Sequence, residues 1–563
     1  MSALTILLVG IACLVVGYFV YGTWLEKQWG VDNSRATPSH TMQDGVDYVP
    51  AKAPVLLGHH FSSIAGAGPI NGPIQAAFFG WLPCLLWILI GGIFFGAVHD
   101  YGSLVASIRH KGASIGEVIS QNVGVRAKRL FLVFSYLTLL LVVAAFASIV
   151  AGTFNGFDAS GAHIEANGTT ATISLLFIVM AVVFGFCVYR KNLPLSICTV
   201  AGIIVLLLCI VLGINFPIYL SGTTWMYLIG VYILVASVTP VWILLQPRDY
   251  LSSFLLYAMM IAAVVGIIAA NPTINMPAFA GFEVNGQFLF PVLFVTVACG
   301  AISGFHSLVS SGTTAKQLNC ERDAKLIGYG AMLIECALAI VSLIAIGYIY
   351  SKQGVGANAF KIPPTAVFAS GISEMLASVG LDSPEAQKNA YGLMILAVSA
   401  FCLTSLDTAT RLARYMFQEF WLNPGETPET VTGFRKTLCN KYVATVITVV
   451  LGLAFGLGGW AKIWPLFGAA NQLLAGLALL AVAAWLKNAA RNHRMLLFPM
   501  VFMLLVTLTS LAITFKTKFA GIIAGQGDLF ASYLQAGLAA ILFILALVLV
   551  KEALPVLRRH KAD

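Results

Sequence analysis

Charge is what this sequence has least of. Only 10% of its 563 residues are Asp, Glu, Lys or Arg, against 59% hydrophobic, and the mean hydropathy is +0.89. A soluble domain carries about 25% charged residues, so the chain lacks the polar surface that a water-facing globule of this length needs. Its ten cysteines form no CxxC pair, and Cys13, Cys84, Cys187, Cys198 and Cys209 sit inside apolar runs. They read as small hydrophobes in helix or lipid contacts, which sets aside thiolate metal clusters and disulfide frameworks. There is no P-loop, no HExxH and no GxGxxG, so neither soluble-type catalysis nor a self-powered ATP pump is expected. The net charge of +9 contains no Lys/Arg run, and its positives fall in short loops. Nucleic acid is therefore not an expected partner.

What is present is apolar length. Runs near 20 residues recur from end to end, enough to cross a ~30 Å hydrocarbon core. They predict an all-α polytopic membrane protein of about 15 transmembrane helices. A leader lies at about 4–21, and ten core spans follow at about 55–80, 82–107, 130–152, 172–189, 195–218, 225–246, 251–270, 288–311, 326–350 and 389–410. Four C-terminal spans lie at about 442–458, 463–486, 495–515 and 529–550. The leader has no basic n-region or cleavage motif, so it reads as a retained helix. Residues 1–54 are then leader and cytoplasmic linker, 55–411 a ten-helix core, 412–441 a cytoplasmic loop and 442–563 four further helices. In the loop 351–388, Phe368–Ala377 reads as a short interfacial or re-entrant helix.

Lys352, Lys361, Lys388, Lys462, Lys516 and Lys518 fall on one side of this arrangement, and the rest of the 32 Lys and Arg on the other. That is the positive-inside bias, which puts the N-terminus outside and the C-terminus in the cytoplasm.

Core span one is irregular. Residues 58–73 hold four glycines and two prolines, which cannot keep a regular helix. Backbone groups freed in lipid must be satisfied by protein, a cavity or an ion, and an interrupted span near the midplane points to a transporter site. Ala65 and Gly66 are candidate ligands of a coupling cation. Ala67, Gly68, Pro69, Ile70, Asn71 and Gly72 are candidate substrate contacts. If core spans one to five form one unit, their odd count inverts the next five, and a matching break is expected in core span six at 236–240. Ser237 and Thr239 then join the substrate site. The repeats would cover about 55–220 and 225–411, a LeuT-like pair of inverted five-helix repeats flanked by extra N- and C-terminal helices. In core span eight, Ser303, Ser307, Ser310, Ser311 and Thr314 line one helix face. Ser310 and Ser311 are expected to face Ala65–Gly68 and bind a monovalent cation. Core span five, about 195–218, has no lysine to fill that space as a tethered cation.

Ionisable groups inside spans mark function by default. They are His59, His60, His99, Asp100, His306, Glu335 and Asp407. His99, Asp100 and His306 suit a proton relay, since histidine titrates near neutral pH. The plainer partners are Arg109 for Asp100 and Arg411, one turn away, for Asp407. No resident metal is expected. His59, His60 and His99 could share one only if the break bent together adjacent histidines that diverge by ~100° on a helix.

At these segments the chain resembles the carbon starvation protein A family of bacterial inner-membrane transporters. The matching stretches run from His59-His60-Phe61 through Gly66-Ala67-Gly68-Pro69 to Gly72-Pro73, then Gly96-Ala97-Val98-His99-Asp100 and Gly112-Ala113-Ser114-Ile115-Gly116-Glu117. Cys299-Gly300-Ala301-Ile302-Ser303-Gly304-Phe305-His306, Ser310-Ser311-Gly312-Thr313-Thr314 and Ile327-Gly328-Tyr329-Gly330-Ala331-Met332 follow, with Trp464-Pro465-Leu466-Phe467-Gly468 and Asn471-Gln472-Leu473-Leu474-Ala475-Gly476 last. The resemblance implies uptake of pyruvate or short peptides across the bacterial inner membrane under carbon starvation, and a place in the amino acid–polyamine–organocation superfamily.

The expected function is secondary import of a small carboxylate or short peptide, coupled to H⁺ or Na⁺. No cofactor is expected, the lipid bilayer is the expected surrounding, and the oligomeric state stays open. A membrane nutrient sensor is the alternative, but the longest cytoplasmic segments, 23–53 and 411–441, leave little room for an output domain. An intramembrane enzyme would have only the loose histidine group.

Overall fold

A computed structural model describes residues 1–45, 47–423, 425–525 and 529–558. The end of the C-terminal segment, after 558, lies outside the described residues. In chain order, α1 (Ala3–Trp29) precedes an interrupted pair, α2 (Ala53–Ile64) and α3 (Gly68–Ala76). Next come α4 (Trp81–Arg109), the short α5 (Ile115–Asn122) and the long α6 (Val125–Phe154). A hairpin of α7 (Glu165–Arg190) and α8 (Leu195–Asn215) leads to α9 (Gly222–Val238) and α10 (Leu245–Ala270). Then the succession recurs. A second interrupted pair, α11 (Leu289–Val297) and α12 (304–317), precedes α13 (Lys325–Ser351), the short α14 (Pro364–Met375) and the long α15 (Pro384–Phe420). Then α16 (Lys441–Gly456) and α17 (Lys462–Asn488) follow, and α18 (Arg494–Ile523) and α19 (Leu529–Arg558) close the chain. Among the described residues, 12 helices are long and apolar enough to cross a membrane, with Leu289–Gln317 taken as one, while α9 and α16 are apolar but shorter.

Local signals start these helices as the sequence dictates. Ser221, Ser383 and Asn440 accept backbone N–H groups at the starts of α9, α15 and α16, and Pro384 occupies the first turn of α15. At the centre α6 packs along α15. Around that pair, α10 lies against α2, α14 and α15, while α17 lies against α12, α6 and α5. The α7–α8 hairpin packs on α15 and α10 and leaves Ile197, Val200, Ile204, Leu207, Leu208 and Val211 exposed, an apolar face suited to lipid tails.

The first break falls at 65–67, where glycine and proline crowd. The second differs from expectation. At 236–240 the chain has an ordinary helix end, where α9 stops at Val238 and turns into α10. The break that meets 65–67 lies at 298–303, inside what the sequence presents as continuous core span eight. Proline is a strong local breaker and drew the expectation to Pro240, whereas 298–303 has no proline and is held open by distant partners. The succession of elements from the first interrupted pair to α10 is followed by a similar one from the second pair to α17.

Ion pairs near the helix ends follow the two sides of the charge bias. Lys352–Glu374 and Lys388–Glu165 tie one face, while Arg109–Glu321, Lys325–Glu26 and Lys128–Glu117 tie the other. The expected re-entrant helix is α14, and its Phe368 is fully buried.

Candidate functional site

The two breaks are in contact. A Cβ at Gly68 would lie 2.4 Å from Cβ of Cys299, and one at Gly72 would lie 2.3 Å from the carbonyl oxygen of Val297. Only glycine permits α3 to approach the backbone of α11 so closely. At the second break the chain passes through Ala298 at φ +46°. Asn471 on α17 then closes it: its Oδ1 accepts from the amide of Phe305 at 2.8 Å, and its Nδ2 donates to Ser303 Oγ at 3.0 Å and Cys299 Sγ at 3.5 Å. A side chain more than 160 residues away thus satisfies backbone and side-chain groups that the break frees. Ala67, Gly68, Pro69, Ile70, Asn71 and Gly72 are all buried, so the protein is closed over the expected substrate contacts.

Ser311 bonds away from Ala65–Gly68, and Ser310 beside it is buried with no hydrogen-bond partner for its hydroxyl among the described residues. Ser311 Oγ accepts from the amide of Ile115 at 3.2 Å and donates to the carbonyl of Ser307 at 2.7 Å, which places it toward α5. Its register follows from the break at 298–303, which sequence reasoning did not see. The group brought to the first break is Ser405 of α15, whose hydroxyl donates to the Ser63 carbonyl at 2.9 Å and lies against Gly66 together with Phe146. Ser237 and Thr239 are likewise elsewhere. Ser237 Oγ lies 3.5 Å from Thr445 Oγ1, and the carbonyl of Thr239 accepts from Arg411.

Two buried polar clusters flank the breaks. The first joins α2, α9, α10 and α15. His59 Nδ1 lies 3.0 Å from Asp249 Oδ2, Arg248 donates to Asp249 Oδ1 at 2.7 Å, and Arg248 also bonds Asp407 and Tyr232. Tyr232 donates to Asp407 at 2.6 Å. Asp407 therefore pairs with Arg248, while Arg411 donates to the carbonyls of Ala236 and Thr239 at the end of α9. The absence of a lysine in core span five left out this buried arginine of α10. Arg248 and Asp249 read from sequence as the cytoplasmic end of a span, and nothing local shows that they turn inward. A narrow crevice lined by residues including Ile173, Ser174, Phe177, Ser252 and Leu403 reaches Arg248.

The second cluster brings together the expected relay residues. His99 Nδ1 lies 2.7 Å from Asp100 Oδ1, and His306 Nδ1 lies 2.8 Å from Asp100 Oδ2. Glu335 of α13 joins them, with Oε2 3.5 Å from His306 Nε2, within ion-pair range but too long for a good hydrogen bond. Arg109 is not the partner of Asp100: it bonds Glu321 at 2.6 Å and the Gly30 carbonyl at 3.0 Å. The three histidines weighed as a metal group go separate ways, His59 to Asp249, His60 to Thr314 and His99 to Asp100. Residues 112–116 have GxSxG spacing, but Ser114 serves as the N-cap of α5, accepting from the amide of Glu117 and donating to Glu419.

Comparison with known proteins agrees with these segments. A family model described as carbon starvation protein CstA matches residues 2–361 and 350–510. The peptide transporter CstA of Bacillus subtilis (strain 168) is 33% identical over 545 residues, covering 88% of this chain and 87% of that protein. The peptide transporter CstA of Escherichia coli (strain K12) is 33% identical over 586 residues, covering 90% and 80%. The pyruvate/proton symporter BtsT of Escherichia coli (strain K12) is 32% identical over 598 residues, covering 91% and 81%. Among solved structures, MhsT in complex with L-phenylalanine aligns at TM-score 0.48 and 12% identity, over 90% of this chain and 99% of that one. The Eremococcus coleocola manganese transporter, in complex with an aromatic bis-isothiourea substituted compound, aligns at TM-score 0.48 and 12% identity, over 92% and 99%.

Proposed function

The chain belongs to the carbon starvation protein CstA family and is a multi-pass secondary transporter; from that premise we propose that it imports a small carboxylate, pyruvate or a short peptide, together with protons. Pyruvate and peptides share a carboxylate, and the relatives are named for both. The observation that carries the reading is the meeting of two interrupted helices at Gly68 and Cys299. Helix ends exposed at such breaks offer partial charges to a substrate carboxylate when the site opens. The recurrence of elements supports inverted repeats over 53–270 and 289–488, with the α7–α8 hairpin inserted in the first. That is a LeuT-like core of ten crossings among fifteen in the chain, in a bacterial inner membrane with its N-terminus outside and its C-terminus in the cytoplasm.

Coupling is assigned to the first cluster. Arg248 faces two carboxylates, Asp249 and Asp407, so the cluster keeps one uncompensated negative charge until His59 takes a proton. A buried net charge in a membrane is costly, so proton uptake at His59 and the movement of α2 are linked. Sodium is the lesser reading, because Ser405 already supplies the Ser63 carbonyl with a hydrogen-bond donor. The test is uptake into proteoliposomes of radiolabelled pyruvate and a dipeptide under separate H⁺ and Na⁺ gradients. Wild-type uptake should follow the H⁺ gradient, and His59→Gln should flatten its pH profile. Uptake that needs Na⁺ and ignores pH would overturn the assignment.

A further inference from the structure

The second cluster contains an arrangement that proton coupling at His59 does not use. His306 Nδ1 lies 2.8 Å from Asp100 Oδ2, and with Nδ1 donating to that carboxylate, Nε2 is the ring nitrogen left to serve as a ligand. That nitrogen points at Glu335, and neither carboxylate oxygen of Glu335 has a hydrogen-bond partner among the described residues. Both residues are fully buried. A lone-pair nitrogen facing an unpartnered carboxylate is repulsive unless a proton or a metal ion lies between them. Cys299 Sγ completes the group: the three donor atoms lie within 4.8 Å of one another.

We propose that Cys299 Sγ, His306 Nε2 and Glu335 bind one transition-metal ion of the zinc class at the second helix break, with Asp100 orienting His306. The donor set is mixed sulfur, nitrogen and oxygen, which suits a borderline ion and not Mg²⁺ or Ca²⁺. Bonds of about 2.0–2.3 Å require the donors to draw together from separations of up to 4.8 Å. The surroundings match a metal site's supporting shell. Asp100 holds the far nitrogen of the histidine, His99 holds the other oxygen of Asp100, and Asn471 donates to Cys299 Sγ. On binding, the Cys299 thiol releases its proton and the thiolate becomes the ligand. The dication then balances the charges of Glu335 and the thiolate, and the Asp100 carboxylate is held by its two histidines. Three protein ligands leave a coordination position open beside the break, where a substrate carboxylate could add its oxygen.

The experiment uses the full chain in detergent, stripped with chelator, reloaded with Zn²⁺ or Co²⁺ and desalted. Wild type should retain about one ion per chain by elemental analysis, melt at a higher temperature with Zn²⁺ than without, and show a thiolate-to-cobalt charge-transfer band. Cys299→Ser should lose the band and Glu335→Gln the bound zinc, while Cys84→Ser should keep both. Asp100→Asn should weaken zinc binding about 10–100-fold. A stripped wild type that takes up no Zn²⁺ or Co²⁺ would overturn the proposal, and Glu335 would then carry a proton shared with His306. Binding without a charge-transfer band in wild type, or binding that survives both ligand substitutions, would place the ion elsewhere. These readouts do not depend on which substrate or coupling ion is transported.

Discussion

Arg248→Met tests the first cluster most severely. The guanidinium is 2% exposed and bonds Asp249 at 2.7 Å as well as Asp407 and Tyr232. Its removal leaves two buried carboxylates without their cation, and breaking a buried pair from one side costs about 3–5 kcal/mol. Asp407→Asn should be milder. Arg248 keeps Asp249, and one charged hydrogen bond becomes a neutral one, a loss of about 1–3 kcal/mol. The pair then makes a cycle. Adding Asp407→Asn to Arg248→Met removes one of the stranded charges, so the double variant should be more stable than Arg248→Met, with a coupling of about 0.5–3 kcal/mol. Purified variants would be compared by thermal melting in detergent, followed by intrinsic fluorescence, with membrane abundance as a check in cells. The reasoning fails if Arg248→Met melts with wild type, or if the double variant melts below both singles.

Four further outcomes are expected. Gly72→Ala puts a methyl group against the Val297 and Thr296 carbonyls and should abolish uptake, whereas Gly152→Ala, with open space around its Cβ, should transport as wild type at equal abundance. Asn471→Leu strands the Phe305 amide and Ser303 and should destabilise by about 1–3 kcal/mol, seen as a lowered melting temperature; Asn471→Asp keeps the acceptor and should recover part of it. A cysteine introduced at 165 should be labelled by an impermeant reagent in intact cells, and one at 436 only after permeabilisation, as the sides joined by Lys388–Glu165 and by Arg435–Glu426 require. Arg109→Gln removes the partner of Glu321 and should raise protease access to residues 30–53 in inside-out vesicles; unchanged cleavage would mean that this contact does not hold the segment.

The helices were legible because their signal is local. An apolar run of membrane length needs no partner to be recognised, and the glycines and prolines of 58–73 announce the first break. The second break left no such mark. Cys299-Gly300-Ala301-Ile302-Ser303-Gly304 also suits tight helix packing, and what opens it is Asn471 on another helix. The clusters fared in the same way. His99, Asp100 and His306 stood out as costly groups in a membrane, and the structure joins them. The partnership of His59 with Asp249 spans 190 residues, and that of Arg248 with Asp407 spans 159. Neither could be read from spacing.

The segment joining α1 to α2 acts as a tether. The amide of Ala51 donates to the Gln317 carbonyl at 2.9 Å, and Ser39 Oγ donates to the Leu318 carbonyl at 2.8 Å. Ala51 stands just before α2 and Gln317 at the end of α12, so these ends of the two interrupted helices are fastened to one another. Neither can swing by itself without breaking that link. The two half-helices that run to the breaks at 65–67 and 298–303 are thus joined at their far ends as well as at the breaks themselves.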